Sequence, residues 1–165
     1  MLLIGPANQR LVSEQAPHHI VSLELARTLP KAQAIIASWT HKQQLFAAFG
    51  IGADYLYIFV YGSLIAAGAA WGASVFAAAG SPNQAARPPL SAALGQWLAR
   101  GVLLAGLCDA VENYAMLQLF WGTPTQLSVS VSFYAASLKF ALVAAGSAYA
   151  IVSLIAAWTW RRTAT

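Results

Sequence analysis

The residues that could do chemistry are ionisable side chains inside long apolar stretches of the sequence. The segment CDAVENYAM contains Asp109, Glu112 and Asn113 at spacings of i, i+3 and i+4, so an α-helix would place them on one face. A carboxylate at the centre of a membrane helix costs about 2.5–3.5 kcal/mol, and such residues usually face other helices. We therefore expect an intramembrane acidic site on this helix.

Lys139 is the candidate partner of Asp109. Each of the two lies fifteen residues from Pro124, so an antiparallel helical hairpin that turns at this proline would bring them to the same height. The resulting ion pair could fix the register of the helices. Alternatively, Lys139 lies at the far membrane interface and its long side chain reaches the headgroups.

Asp54 lies on one helix face with Tyr57 and Tyr61, whose hydroxyls can hydrogen-bond to carboxylates. These three residues are expected at the same end of the helix bundle as Glu112. The predicted ion- or ligand-binding site therefore consists of seven residues: Asp109, Glu112, Asn113 and Lys139, with Asp54, Tyr57 and Tyr61 as helpers.

One lysine cannot neutralise three carboxylates. Either a carboxylic acid is held in its protonated form, or a cation or cationic ligand is bound, or water reaches the site. The expected function is binding, or binding and transport, of a proton, cation or small polar ligand. Two alternatives stay open: an accessory subunit of a larger membrane complex, and a membrane enzyme that uses Glu112 in acid–base chemistry on a lipid-soluble substrate. The sequence leaves the identity of any cofactor unknown.

The composition indicates the class of protein that must position these side chains. Of 165 residues, 59% are hydrophobic and 8% are charged, whereas soluble domains carry about 25% charged residues. This composition predicts an all-α integral membrane protein and argues against a nucleic-acid-binding module. The single cysteine, Cys108, cannot form an internal disulfide.

Three apolar runs predict transmembrane helices over about 53–79, 97–121 and 129–160. A loop at 80–89 separates the first two, and a short turn at 122–125 makes the second and third an antiparallel hairpin. The third run is about 48 Å long as a helix, so it must tilt, protrude or bend, with Gly146–Ser147 the favoured point.

Residues 1–50 are predicted to form an extramembrane or interfacial amphipathic segment, and 51–165 the transmembrane domain. Within 31–49, the apolar residues Ile35, Ile36, Trp39 and Phe46 recur at helical spacing. This pattern fits a helix that lies on the membrane surface, and equally one that packs on the extramembrane end of the bundle.

No sequence motif indicates a metal site or a nucleotide site. His18, His19 and His41 are too few and too dispersed to predict a metal centre, and a surface position explains them.

Gly68 and Gly72 give the first span a smooth face for close packing, against the third span or against another copy. We expect the lipid bilayer as a partner, together with a homo-oligomer or a larger membrane complex that covers the polar and glycine faces. Four arginines on one side, Arg87, Arg100, Arg161 and Arg162, favour a cytoplasmic C-terminus. On the other side only Lys31 and Lys42 are close to a span in sequence, and Arg10 and Arg27 are further away. The expected location is a cell membrane, the bacterial inner membrane.

Overall fold

The computed structural model describes residues 10–78, 90–122 and 124–163, and no β-strand is found in these ranges. Two short helices, α1 (Ile20–Glu24) and α2 (Leu29–Ala37), precede three long ones. The three long helices are α3 (His41–Ala78), α4 (Leu90–Trp121) and α5 (Gln126–Thr163). The prediction of three helices long and apolar enough to cross a membrane is confirmed.

The helix bounds differ from the predicted ones because capping residues set them. Thr40 and Gln43 form a capping box, in which the Thr40 backbone N–H donates to Gln43 Oε1 at 2.8 Å. Helix α3 therefore begins at His41, twelve residues before the predicted start at 53. The Thr125 hydroxyl caps α5 by accepting from the Ser128 backbone N–H at 3.1 Å.

Two further expectations about the helices are corrected. The single helix expected over 31–49 is divided, because α2 ends at Ala37 and α3 begins at His41. Helix α4 begins at Leu90, ahead of the predicted start at 97. Helix α5 continues through Gly146 and Ser147, and a bend at this point stays a prediction. The loop predicted at 80–89 lies outside the described residues.

The chain forms two compact units, and each long helix contributes to both. The first unit consists of the described residues up to Ile58 together with Leu107–Leu138. Its apolar cluster joins residues of the N-terminal segment, such as Leu23, Ile35 and Trp39, to Met116 and Val129 of the long helices. Trp39 is 3% exposed and its indole N–H donates to the Leu11 carbonyl at 2.8 Å. The sequence allowed this segment to lie on the membrane surface or to pack on the end of the helix bundle. These contacts correspond to packing on the helices.

The second unit consists of Phe59–Gly106 and the described residues from Lys139 onward. Its helices meet at small residues. A Cβ added at Gly72 would lie 2.6 Å from Ser153 Cβ, and one added at Gly68 would lie 3.3 Å from Ala150 Cβ. The glycine face of α3 is therefore filled by α5 of the same chain, which removes this face as an argument for an oligomer. A homo-oligomer stays a prediction.

Candidate functional site

The acidic site lies in the first unit, where α4 supplies its most deeply buried side chains. Glu112 has no exposed surface, and Asp109 and Asn113 are each 2% exposed. In the candidate span Ser91–Trp121, Asp109 lies three residues and Glu112 six residues past the midpoint, roughly 4.5 and 9 Å along the axis. Both positions fall within half of a hydrocarbon core of about 30 Å if the helix is centred in it.

Helix α3 supplies the facing wall of the site through two hydrogen bonds. Asn113 Nδ2 donates to Asp54 Oδ2 at 3.0 Å, which joins two of the predicted residues directly. The Tyr55 hydroxyl donates to the Ala110 carbonyl at 3.1 Å, one residue from Asp109 and two from Glu112. These bonds hold the two helices at a common register around the carboxylates.

Tyr55 is the site residue that sequence reasoning missed. The helical-face argument selected Tyr57 and Tyr61 because they follow Asp54 at i+3 and i+7. Tyr55 lies about 100° around the helix from Asp54, yet its long side chain reaches a backbone carbonyl of α4. The only sequence signal for Tyr55 was its position next to Asp54. Its acceptor is a backbone carbonyl, which every residue has, so the sequence could not identify this hydrogen bond.

The remaining predicted residues are distributed over both units. Tyr57 is half-buried in the first unit, and its role as a helper stays a prediction. Tyr61, also half-buried, and Lys139 belong to the second unit. Lys139 is 7% exposed, with its ammonium 4.8 Å from the centre of the Phe140 ring, and its position relative to the membrane interface stays a prediction. Its pairing with Asp109 stays a prediction from sequence register.

Within the described ranges, no group of three or more His, Cys, Asp and Glu side chains lies close enough together to hold a metal ion. What the site offers is two buried carboxylates one helical turn apart, beside an amide-to-carboxylate hydrogen bond. Such groups can take up and release protons, and a carboxylate can bind a proton without further ligands.

Comparison of the chain with protein-family models, with curated proteins and with solved structures found no match in any of the three.

Proposed function

We propose that this chain is a membrane protein that binds a proton at Glu112 and moves it within the bilayer. The observation that carries this proposal is the complete burial of Glu112 on a helix long and apolar enough to cross a membrane. Ionisable residues are rare in such positions because they are costly, and those that occur commonly serve ion pathways or proton relays.

The charge balance supports a bound cation. The long helices bury two carboxylates, Asp109 and Glu112, and half-bury a third, Asp54, whereas Lys139 is the buried cation among the described residues. Asp109 and Glu112 are one turn apart on α4, where like charges at i, i+3 or i+4 repel. Binding of a proton by one of them relieves that repulsion.

Two hydrogen bonds near Glu112 support the proposal that this carboxylate lies in an ordered site. The Asn113–Asp54 and Tyr55–Ala110 hydrogen bonds connect α3 and α4 on either side of this carboxylate in the α4 sequence. A rigid frame of this kind holds a titrating group at a constant position while its charge changes.

Proton movement by reconstituted protein tests the proposal. The protein is placed in liposomes with a pH-sensitive dye inside, and a potassium diffusion potential is imposed with valinomycin. We expect internal acidification with the unchanged protein and its loss with Glu112→Gln, which keeps the shape of the side chain and removes its ionisation. Glu24→Gln is the matched control, because Glu24 is also a buried acid, 8% exposed, but lies in α1.

Equal proton movement with Glu112→Gln and with the unchanged protein would contradict the proposal. If Glu112→Gln then lowered only thermal stability, the acidic residues would have a packing role, as in the accessory-subunit alternative. Movement of sodium ions in place of protons would assign the site to a different cation.

A further inference from the structure

A second polar site lies near the start of α5, and no carboxylate of α4 is among the residues that line it. Arg27, Ser130, Phe133 and Tyr134 line a groove of about 280 Å³ that is open to the surface. Pockets that enclose a whole drug-sized ligand measure about 300–1,000 Å³. The groove therefore suits the polar end of a larger molecule whose remainder lies outside it.

Gln126 holds the two walls of this groove together. Its side-chain oxygen accepts from the Leu29 backbone N–H at 2.8 Å, and its amide nitrogen donates to the Arg27 carbonyl at 2.9 Å. The same nitrogen donates to the Ser130 hydroxyl oxygen at 3.2 Å. The connection between α1 and α2 is thus fixed against the first turn of α5.

The groove presents hydrogen-bond donors suited to an anion with several oxygens. The Arg27 guanidinium lies 4.9 Å from the centre of the Phe133 ring, and a guanidinium over a ring can still donate its N–H groups to phosphate. The Ser130 hydroxyl accepts from Gln126, so its own hydrogen can be donated elsewhere. The Tyr134 hydroxyl supplies a further donor.

We propose that this groove binds a phosphate group, specifically that of a phospholipid headgroup. Ser130 and Tyr134 lie four and eight residues past Gln126, the start of a candidate membrane span, or roughly 6 and 12 Å along the helix. This depth corresponds to the boundary between headgroups and acyl chains if the span begins at the membrane surface.

The exposed surface of α5 that follows the groove along the helix favours a lipid over free phosphate as the ligand. Tyr134 is 71% exposed and Leu138, one turn further along the same face of α5, is 46% exposed. These side chains offer an apolar surface to an acyl chain that continues from the headgroup. A free phosphate ion has no apolar group that could contact this surface.

Native mass spectrometry of the purified full chain in mild detergent tests this site with three probes. Phosphatidylglycerol carries phosphate and acyl chains, diacylglycerol carries the same chains without phosphate, and inorganic phosphate has no chains. We expect saturable binding of one phosphatidylglycerol, weaker binding of diacylglycerol, and no displacement of the lipid by inorganic phosphate.

The variant Arg27→Gln should weaken phosphatidylglycerol binding roughly tenfold, because it removes a charge-assisted hydrogen bond. Arg10→Gln is the matched control, since Arg10 belongs to the same N-terminal segment and lies over Phe46 at 5.4 Å but does not line the groove. Tyr134→Phe, which removes one hydroxyl from an exposed position, gives a smaller loss and covers the case in which Arg27→Gln does not fold.

Three results would overturn the proposal. They are equal binding of phosphatidylglycerol by Arg27→Gln, Arg10→Gln and the unchanged protein, binding of diacylglycerol as tight as that of phosphatidylglycerol, and displacement of the lipid by inorganic phosphate at comparable concentration. The last would show that the groove binds free phosphate.

Discussion

At the scale of single residues, the serine hydroxyls inside the long helices differ in whether they form a hydrogen bond. Ser153 and Ser137 donate to the carbonyls four residues earlier, Tyr149 and Phe133, each at 2.7 Å. Ser132 is 1% exposed, and within the described ranges its hydroxyl oxygen has no hydrogen-bond partner. A buried polar group without a partner costs about 1–3 kcal/mol.

We predict opposite effects of two serine-to-alanine changes on the free energy of unfolding. Ser132→Ala should leave stability unchanged or raise it by about 1 kcal/mol, because it removes an unsatisfied hydroxyl. Ser153→Ala should lower stability by about 0.5–1.5 kcal/mol, because it removes a buried hydrogen bond. Both positions are helical, so the gain in helix propensity is common to both variants.

Denaturation in detergent followed by circular dichroism measures the difference between the serine variants. A loss of stability in Ser132→Ala as large as that in Ser153→Ala would contradict the account. It would indicate that Ser132 binds a group such as an internal water.

At the scale of helices, the second unit depends on close approach at glycines. Gly95 of α4 and Gly72 of α3 both pack against Tyr149, whose hydroxyl donates to the Ser91 carbonyl at 2.7 Å. Gly146 of α5 lies against Val102. Small residues at such crossings allow helix backbones to approach, which is a main source of stability between membrane helices.

The variants Gly72→Ala and Gly62→Ala should separate close packing from helix propensity. An added Cβ at Gly72 would lie 2.6 Å from Ser153 Cβ, so Gly72→Ala should lower the free energy of unfolding by about 1–3 kcal/mol. A Cβ at Gly62 meets no described atom within 4 Å, so Gly62→Ala should stabilise α3 by up to about 1 kcal/mol.

Thermal unfolding and the particle mass in detergent check this pair of glycine variants. If Gly72→Ala changed the particle mass and left thermal stability equal to that of Gly62→Ala, the glycine face would belong to a contact between chains.

Much of the fold follows from the sequence, because apolar length identifies helices and the 3.6-residue period places Asp109, Glu112 and Asn113 on one face. The start of α3 could also have been read from the Thr40–Gln43 pair, which is a capping-box pattern. The position of the N-terminal segment could not, because a helix with an apolar face has the same pattern whether lipid or protein covers it. Trp39 illustrates this, since its partners Leu11 and Phe120 are distant in sequence.

At the scale of the whole molecule, we predict that the segment before α3 and the end of α5 lie on opposite sides of the membrane, because three spans are an odd number. The expectation of a cytoplasmic C-terminus treated Arg10 and Arg27 as distant from the spans. The structure places Arg10 over Phe46 of α3 and Arg27 over Phe133 of α5, so both count toward the charge at span ends. With Arg10 and Arg27 counted, the basic residues no longer favour one side of the membrane, and the cytoplasmic C-terminus stays a prediction. The prediction of opposite sides does not depend on this count.

Single-cysteine labelling in intact membranes tests the number of spans. In a Cys108→Ser background, Thr28→Cys and Thr159→Cys introduce thiols at exposed positions near opposite ends of the long helices. We expect a membrane-impermeant maleimide to label one variant from outside and the other only after the membrane is permeabilised. Labelling of both variants from the same side would contradict three spans.

The most direct test of the central claim is infrared spectroscopy of the reconstituted protein as pH is varied. A protonated carboxylic acid has a carbonyl stretching band distinct from that of a carboxylate, and the band shifts in heavy water. If Glu112 exchanges a proton within the membrane, the pH-dependent carboxylic-acid absorption should be the same in Glu24→Gln as in the unchanged protein near neutral pH, and one component of it should be missing in Glu112→Gln. Identical absorption in Glu112→Gln and in the unchanged protein would contradict the account.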